Sequence, residues 1–300
     1  MPDRGKRLTA LATIAAMLLG ASSLDRPDSA DRLAALPQVM IWAWERPEDL
    51  EFLDCSQVGV AYLAGTLTLT GEEAQMRPRF MPLLLPPECR SLSVVRIETY
   101  EFEPPRYTRH QRREMVEEIL ALLRPDLDDG LQIDFDARSS EWDFYRRFLQ
   151  DLRREMPAGW PLSITALTSW CLHDDRLEVM PLDEAVPMLF RMGPDKGNII
   201  RALRRGRDFR SPVARTSYGL STDEPFPPLR PDRRIYLFNP APWDERALRQ
   251  AIARVRQASR SFAGWSVEPA RDAIARFQRS QTSLGPTQGG AFVSLALDGG

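Results

Sequence analysis

The run Asp129-Gly130-Leu131-Gln132-Ile133-Asp134-Phe135-Asp136 holds the densest set of chemistry-bearing side chains in this chain. Side chains alternate along a strand, so Leu131, Ile133 and Phe135 take one face and Gln132, Asp134 and Asp136 the other. Burying polar groups costs free energy unless each is satisfied, so carboxyls laddered on an apolar strand mark a site. Asp134 and Asp136 stand two rises apart, roughly 7 Å along one face. At that spacing one carboxyl can ionise while the other keeps its proton, the condition for separate acid and electrostatic roles. A competing reading makes Asp136 the cap of the following helix, through the amides of residues 137–139. Capping alone does not call for Asp134 or Gln132.

Further candidates sit near the ends of neighbouring apolar segments. Over residues 93–99, Arg96 and Glu98 share the face opposite Val95 and Ile97. A pair between Arg96 and either Glu98 or Asp134 would lower the acids' pKa values, against the rise that burial brings. Trp42, Trp44 and Glu45 close the first strand, with at least one of the tryptophans expected in the core. Trp170 follows the fifth strand, where it would stack on a sugar ring or seal the rim. Arg191 brings a guanidinium to the same rim after the sixth. His173, Asp174 and Asp175 adjoin one another in sequence and read as a solvated loop rather than a metal site.

These groups need elements to hold them. Strand patterns fall at residues 39–44, 58–64, 93–99, 131–136, 162–167, 185–191, 213–219 and 235–238, with 262–267 as a surplus strand or an alternative eighth. Residues 46–53 read as a short amphipathic segment, and 65–87 as a hairpin excursion. Thr108 caps a helix running to Leu123, and Ser139 or Ser140 caps the next, with Phe144, Phe148 and Leu152 as its buried stripe. Basic and closing helices follow at 196–205 and 244–257. Strands alternating with helices argue for a parallel α/β sheet. About eight of them argue for a closed (β/α)8 TIM-type barrel, irregular in its last third, with chemistry at the carboxyl ends of the strands. No Gly-rich phosphate loop follows the first strand, so no dinucleotide is expected, nor any other cofactor.

Composition narrows the function classes. Of 300 residues, 43% are hydrophobic and 27% charged, ordinary values for a soluble domain. The net charge of -2, without blocks of one sign, gives no footprint for nucleic acid or an anionic membrane. The run Arg201 to Arg207 lacks interleaved aromatics and reads as a solvated helix face. Arg4, Lys6 and Arg7, an apolar stretch over 8–19 and small residues at 20–23 have the layout of a secretory signal peptide. The expected organisation is therefore a signal peptide over 1–23, a linker over 24–37, one barrel domain over 38–279 and a tail over 280–300. The expected location is periplasmic or secreted, with no membrane span in the mature chain. Cys55 and Cys89 could pair in an oxidising compartment, and the two histidines are too few for a structural zinc site.

The segment Asp129-Gly-Leu-Gln-Ile-Asp134-Phe-Asp136 resembles the fourth-strand motif of the family 18 (chitinase-like) glycoside hydrolases, which has Asp-Gly followed by Asp, Asp and Glu at alternate positions. Met188-Leu-Phe190-Arg191 is a fainter echo of that family's Met-x-Tyr-Asp, and Trp265 matches the tryptophan of its last strand. Gln132, Asp136 and Arg191 depart from the pattern, standing where it has Asp, the proton-donating Glu and an acid. The shorter Asp136 retracts its carboxyl by about 1.5 Å, a distance that matters for in-line proton donation. Over a longer span the chain is similar to a bacterial family of exported barrel proteins that carries a domain-of-unknown-function label. Its segments are Gln132 to Ala137, Ser163 to Leu167, Ser169-Trp-Cys171, Asp183 to Gly193 and Leu220 to Pro225. That likeness implies the barrel and export but no activity.

Two functions remain in view. One is an exported hydrolase of a glycan, with Asp136 as general acid, Asp134 stabilising developing charge, and Glu98, Arg96, Gln132, Trp44, Glu45, Trp170 and Arg191 lining the substrate site. The other is a non-catalytic envelope protein that binds a polysaccharide or a partner. A divalent-metal hydrolase built on Asp134, Asp136 and Glu98 ranks behind both, for want of a well-placed histidine.

Overall fold

A computed structural model describes residues 28–260. The expected signal peptide, the strand at 262–267 with Trp265, and the tail lie outside these residues. Eight strands run parallel and close on themselves. They are β1 (Val39–Ala43), β3 (Val58–Thr70), β6 (Ser91–Thr99), β7 (Leu131–Asp134), β8 (Leu162–Leu167), β9 (Glu184–Met188), β10 (Ser217–Ser221) and β11 (Arg234–Phe238). β1 pairs with both β3 and β11, which completes the (β/α)8 barrel.

Helices cover only part of it. α2 (Arg109–Leu122) lies between β6 and β7, α3 (Trp142–Glu155) between β7 and β8, the short α4 (Thr168–His173) between β8 and β9, and α5 (Lys196–Arg204) between β9 and β10. α6 (Glu245–Arg260) follows β11. The irregularity is thus not confined to the last third. Among the described residues no α-helix joins β1 to β3, β3 to β6, or β10 to β11. In the first gap the expected amphipathic segment is the short strand β2 (Glu48–Asp49), paired with β5 (Leu83–Leu84). In the second, β3 runs on well past Ala64 and folds back as a hairpin with β4 (Glu73–Pro78). Gly71 makes that turn at φ 49°, a left-handed conformation that costs glycine nothing.

Where pattern and caps agree, elements fall where expected. The Thr108 side chain accepts the Gln111 N–H and opens α2. Phe144, Tyr145, Phe148, Leu149 and Leu152 form the buried stripe of α3. The seventh strand begins later than residue 213, because Pro212–Arg215 forms a 3-10 turn ahead of it. The sixth ends at Met188 rather than 191, where the chain turns into the rim loop.

Two apolar layers result. The larger lies between strands and helices and includes Ile133, Phe135, Tyr145, Phe148, Leu162 and Ile164. The smaller fills the barrel itself with Met40, Trp42, Ala61, Leu92, Val94, Val186 and Tyr236. Its floor is closed by Leu33 and Leu36, which belong to the stretch expected to be a polar linker. That stretch contains the helix α1 (Ser29–Ala34), capped by Asp28. Arg234 donates to the carbonyls of Leu33 (2.8 Å), Leu36 (3.3 Å) and Pro37 (2.9 Å). Arg32 grips Asp183 at 2.6 Å. Docking of this helix is therefore both apolar and ionic. On the same amino-terminal side, Cys55 and Cys89 form a disulfide with Cα atoms 4.6 Å apart.

A chain of hydrogen bonds crosses the barrel interior. Trp42 Nε1 donates to Gln132 Oε1 (2.8 Å), Gln132 Nε2 to Ser163 Oγ (3.0 Å), and Ser163 Oγ to Glu184 Oε2 (3.0 Å). Glu184 also accepts from Tyr236 Oη (2.6 Å) and Arg234 Nη1 (3.0 Å). All six residues are buried. Removing one member of a buried ion pair leaves the other charge uncompensated, which costs about 3–5 kcal/mol. Glu184→Ala is accordingly expected to lower unfolding free energy by about that amount in urea titration; a loss below about 1 kcal/mol would show that the Glu184–Arg234 pair does not hold the barrel together.

Candidate active site

At the carboxyl ends of the strands a cavity of about 340 Å³ opens to solvent. This is the size of a small-ligand site, at the end of the barrel where such folds keep their chemistry. One wall is polar and is built from Arg96, Asp134, Asp136 and Thr165. The other is aromatic and holds Trp42, Trp44, Phe190 and Phe238, with Arg191 above it.

The polar wall follows from strand register. Arg96 on β6 lies beside Asp134 on β7, and alternation on β8 turns Ser163 and Thr165 inward. Thr165 Oγ1 donates to Asp134 Oδ1 at 2.6 Å. Desolvation raises the Asp134 pKa above the ordinary carboxylate value; the Thr165 bond opposes this, the Asp136 charge adds to it and Arg96 opposes it. Asp136 is exposed at the mouth, yet the protein around it displaces enough water to raise its pKa too, against the pull of Arg96.

β7 ends at Asp134 rather than 136, because the Ala137 N–H turns back to the Phe135 carbonyl at 2.9 Å. Asp136 therefore stands on the first residues beyond the strand. It does not cap the next helix. Glu141 does that work instead, accepting the Arg138 N–H at 2.6 Å and also the hydroxyl of Tyr107. Among the described residues the Asp136 carboxyl has no hydrogen bond or ion pair and faces the cavity.

The aromatic wall is equally specified. Trp42 stacks on Tyr236, with centroids 5.3 Å apart, while its indole N–H is tied to Gln132. Its ring also lies against Gly219, where an added Cβ would come within 2.9 Å of it. Phe190 and Phe238 stack at 6.0 Å, and Trp44 meets Phe238 edge-on at 6.4 Å. Arg79, from the segment after the hairpin, donates to the carbonyls of Trp44 and Arg46 and holds that rim loop.

The remaining expected residues divide. Asp134, Asp136, Arg96, Trp44 and Arg191 all line the cavity. Glu98 does not line it but pairs with Arg96 at 2.9 Å from the solvent side. Gln132 is fully buried beneath the site, so its amide holds Trp42 rather than a ligand. Glu45 pairs with Arg77 of the hairpin, outside the cavity lining, and that bond holds its carboxyl below the ordinary range. Trp170 packs edge-on against Trp142 at 4.7 Å and belongs to the outer core, so it seals the rim. Thr165, Phe190 and Phe238 were not singled out, although inward alternation on β8 and the last positions of the strands would have found them. Among the described residues no group of three or more His, Cys, Asp or Glu side chains could hold a metal ion.

No protein-family model matches the chain, and no curated protein does. Among solved structures, the fold is similar to a protein named as a chitinase A from Streptomyces coelicolor. The identity is 12%, the TM-score 0.50, and the match covers 75% of this chain and 98% of that one. Looser matches are the spore cortex-lytic enzyme of Bacillus cereus (13% identity, TM-score 0.37, 61% of this chain and 51% of that one) and the chitinase domain of a Clostridium difficile spore coat protein (10%, 0.39, 89% and 99%). These two superpose too loosely to bear on the fold. The first shares the (β/α)8 barrel fold with this chain.

A carboxyl whose folded pKa is raised binds more protons folded than unfolded. Its contribution to stability is thus fully present below the ordinary aspartate value, about 3.9, and is lost as pH rises through the raised value. Asp134→Asn keeps the acceptor for Thr165 and removes the buried charge. The variant should be more stable than the parent at pH 7, with the gap closing below about pH 4. Thermal melts across that range test it, and a pH-independent difference would contradict the raised Asp134.

Proposed function

We propose that this protein is an exported glycosidase-like enzyme acting on a glycan, with Asp136 as the general acid and Asp134 as the electrostatic stabiliser. The observation that carries the reading is the pairing of two desolvated carboxyls with an aromatic wall across one cavity. A sugar ring presents apolar C–H faces that stack on rings such as Trp44 and Phe238, and this would set the glycosidic oxygen against the opposite wall. Asp136, its pKa raised by desolvation, would deliver its proton to that oxygen as the bond to the anomeric carbon breaks. Positive charge would then develop on the sugar, and a water entering from the open mouth would add to the anomeric carbon and return a proton to Asp136. Asp134, oriented by the Thr165 hydroxyl, supplies the facing negative charge. Arg96 stands beside both acids and limits how far their pKa values rise.

Export is supported by the charged and apolar pattern of residues 4–23 and by the Cys55–Cys89 disulfide, a bond that persists in oxidising compartments. Among the described residues no helix is long and apolar enough to cross a membrane.

Asp136→Asn should abolish glycan cleavage, by about 100-fold or more, while leaving melting temperature and sugar binding intact. Unchanged turnover in that variant would falsify the assignment of the acid. The exposed and unbonded state of Asp136 also favours a second reading, a barrel that binds glycan without cleaving it. Asp136→Glu separates the two, since its longer side chain would confer hydrolysis on a protein that otherwise only binds.

A further inference from the structure

Arg191 is held at the cavity mouth in a way the acid chemistry does not require. Its backbone is in the left-handed region at φ 49°, an uncommon and strained conformation for a residue with a Cβ. The conformation is fixed from the turn that follows β10. The Arg191 N–H donates to Glu224 Oε1 at 2.8 Å, and the other oxygen of that carboxylate accepts from Lys196 Nζ at 2.6 Å. Arg254 in turn donates to the Glu224 carbonyl. The guanidinium then lies over two rings of the aromatic wall, its Cζ 5.2 Å from the centroid of Phe238 and 5.7 Å from that of Phe190. Its ion pair is a single contact to Asp223 Oδ2 at 3.5 Å, and the side chain is 54% exposed.

A guanidinium has five N–H donors in a planar fork. Here it lies over two rings, and among the described residues its side chain makes one long contact, to Asp223, which leaves most of the fork unfilled at the cavity mouth. The other guanidinium of the cavity, Arg96, pairs with Glu98 and lowers the pKa values of the two acids through its charge. A rim arginine that served only to tie loops together would gain nothing from a strained backbone or from an unfilled fork, since Glu224 already joins the loops through main-chain and lysine bonds. A planar, ring-backed, half-open guanidinium is the geometry that takes a carboxylate through two parallel bonds.

We propose that the cavity recognises a glycan bearing carboxylate groups, with Arg191 as the specificity-determining residue that receives the sugar acid, and Glu224 as the residue that positions it. The inference rests on the glycan reading above. With Asp134 and Asp136 on the opposite wall, the ligand's carboxylate would be kept away from them, at the aromatic end of the cleft. A neutral sugar would use the same rings and leave the fork unfilled.

The test compares two tetrasaccharides by titration calorimetry on the full protein. One is an N-acetylglucosamine tetramer and the other alternates N-acetylglucosamine with glucuronate. A charge-assisted, bidentate contact should make the acidic sugar bind about tenfold tighter or more at low salt. Its advantage over the neutral tetramer should shrink as salt is raised and disappear in Arg191→Gln. Arg191→Lys should restore only part of the preference, because an ammonium cannot form the planar pair. Equal binding of the two sugars, or a preference that survives Arg191→Gln, overturns the inference and leaves the glycan reading standing. Binding of neither sugar overturns both.

Discussion

Everything at the mouth of this barrel depends on the hydrogen-bond chain beneath it. An indole N–H can only donate and a carboxylate can only accept, so the order Trp42, Gln132, Ser163, Glu184 has one sense and fixes which way the Gln132 amide faces. The chain links β1, β7, β8 and β9, and the bonds of Glu184 add β11. A single network thus ties together strands that hydrogen-bond only to their immediate neighbours. Because each link is satisfied, the network stabilises where a half-satisfied one would be worse than an apolar filling. It also holds Trp42 at the cavity, with Gly219 making the space for its ring.

Much of this was legible in the sequence. Alternation at 131–136 separated the apolar from the polar face, and the order of strands and helices led to the barrel. Thr108 and the stripe from Phe144 to Leu152 marked their helices because capping and a 3.6-residue period are local properties. What escaped was set by tertiary contact. Gln132 shares a face with Asp134 and Asp136, yet depth along the strand assigns it to the interior, and depth has no signature in alternation. The extension of β3 past Ala64 is held by pairing on both edges, with β4 and with β6. The helix α1 was hidden by its charges, since Asp31 and Arg32 mask the two leucines that close the floor.

The cavity joins two opposed electrostatic environments. On the β7 side, desolvation raises the pKa values of Asp134 and Asp136, and Arg96 opposes that rise. On the β9 to β11 side, rings carry the negative faces of their π systems toward a guanidinium that needs no counter-ion to stay charged. The walls are built from different layers of the fold. The acidic wall relies on register between parallel strands, whereas the aromatic wall relies on rim loops pinned by Arg79, Arg46 and Glu224.

The disulfide has a consequence for how the molecule comes apart. Cys55 lies in the connection between β1 and β3, and Cys89 in that between β3 and β6, two crossovers that no α-helix spans. A covalent bond therefore stands where elsewhere an amphipathic helix clamps adjoining strands from outside. The barrel is divided into a helix-clad arc secured by burial and a hairpin-bearing arc secured in part by sulfur. Reduction would release that bond and leave the burial of the helix-clad arc unchanged, so the two arcs differ in their dependence on the redox poise of the surroundings. The arc exposed to that control carries Trp44, and with it one end of the aromatic wall.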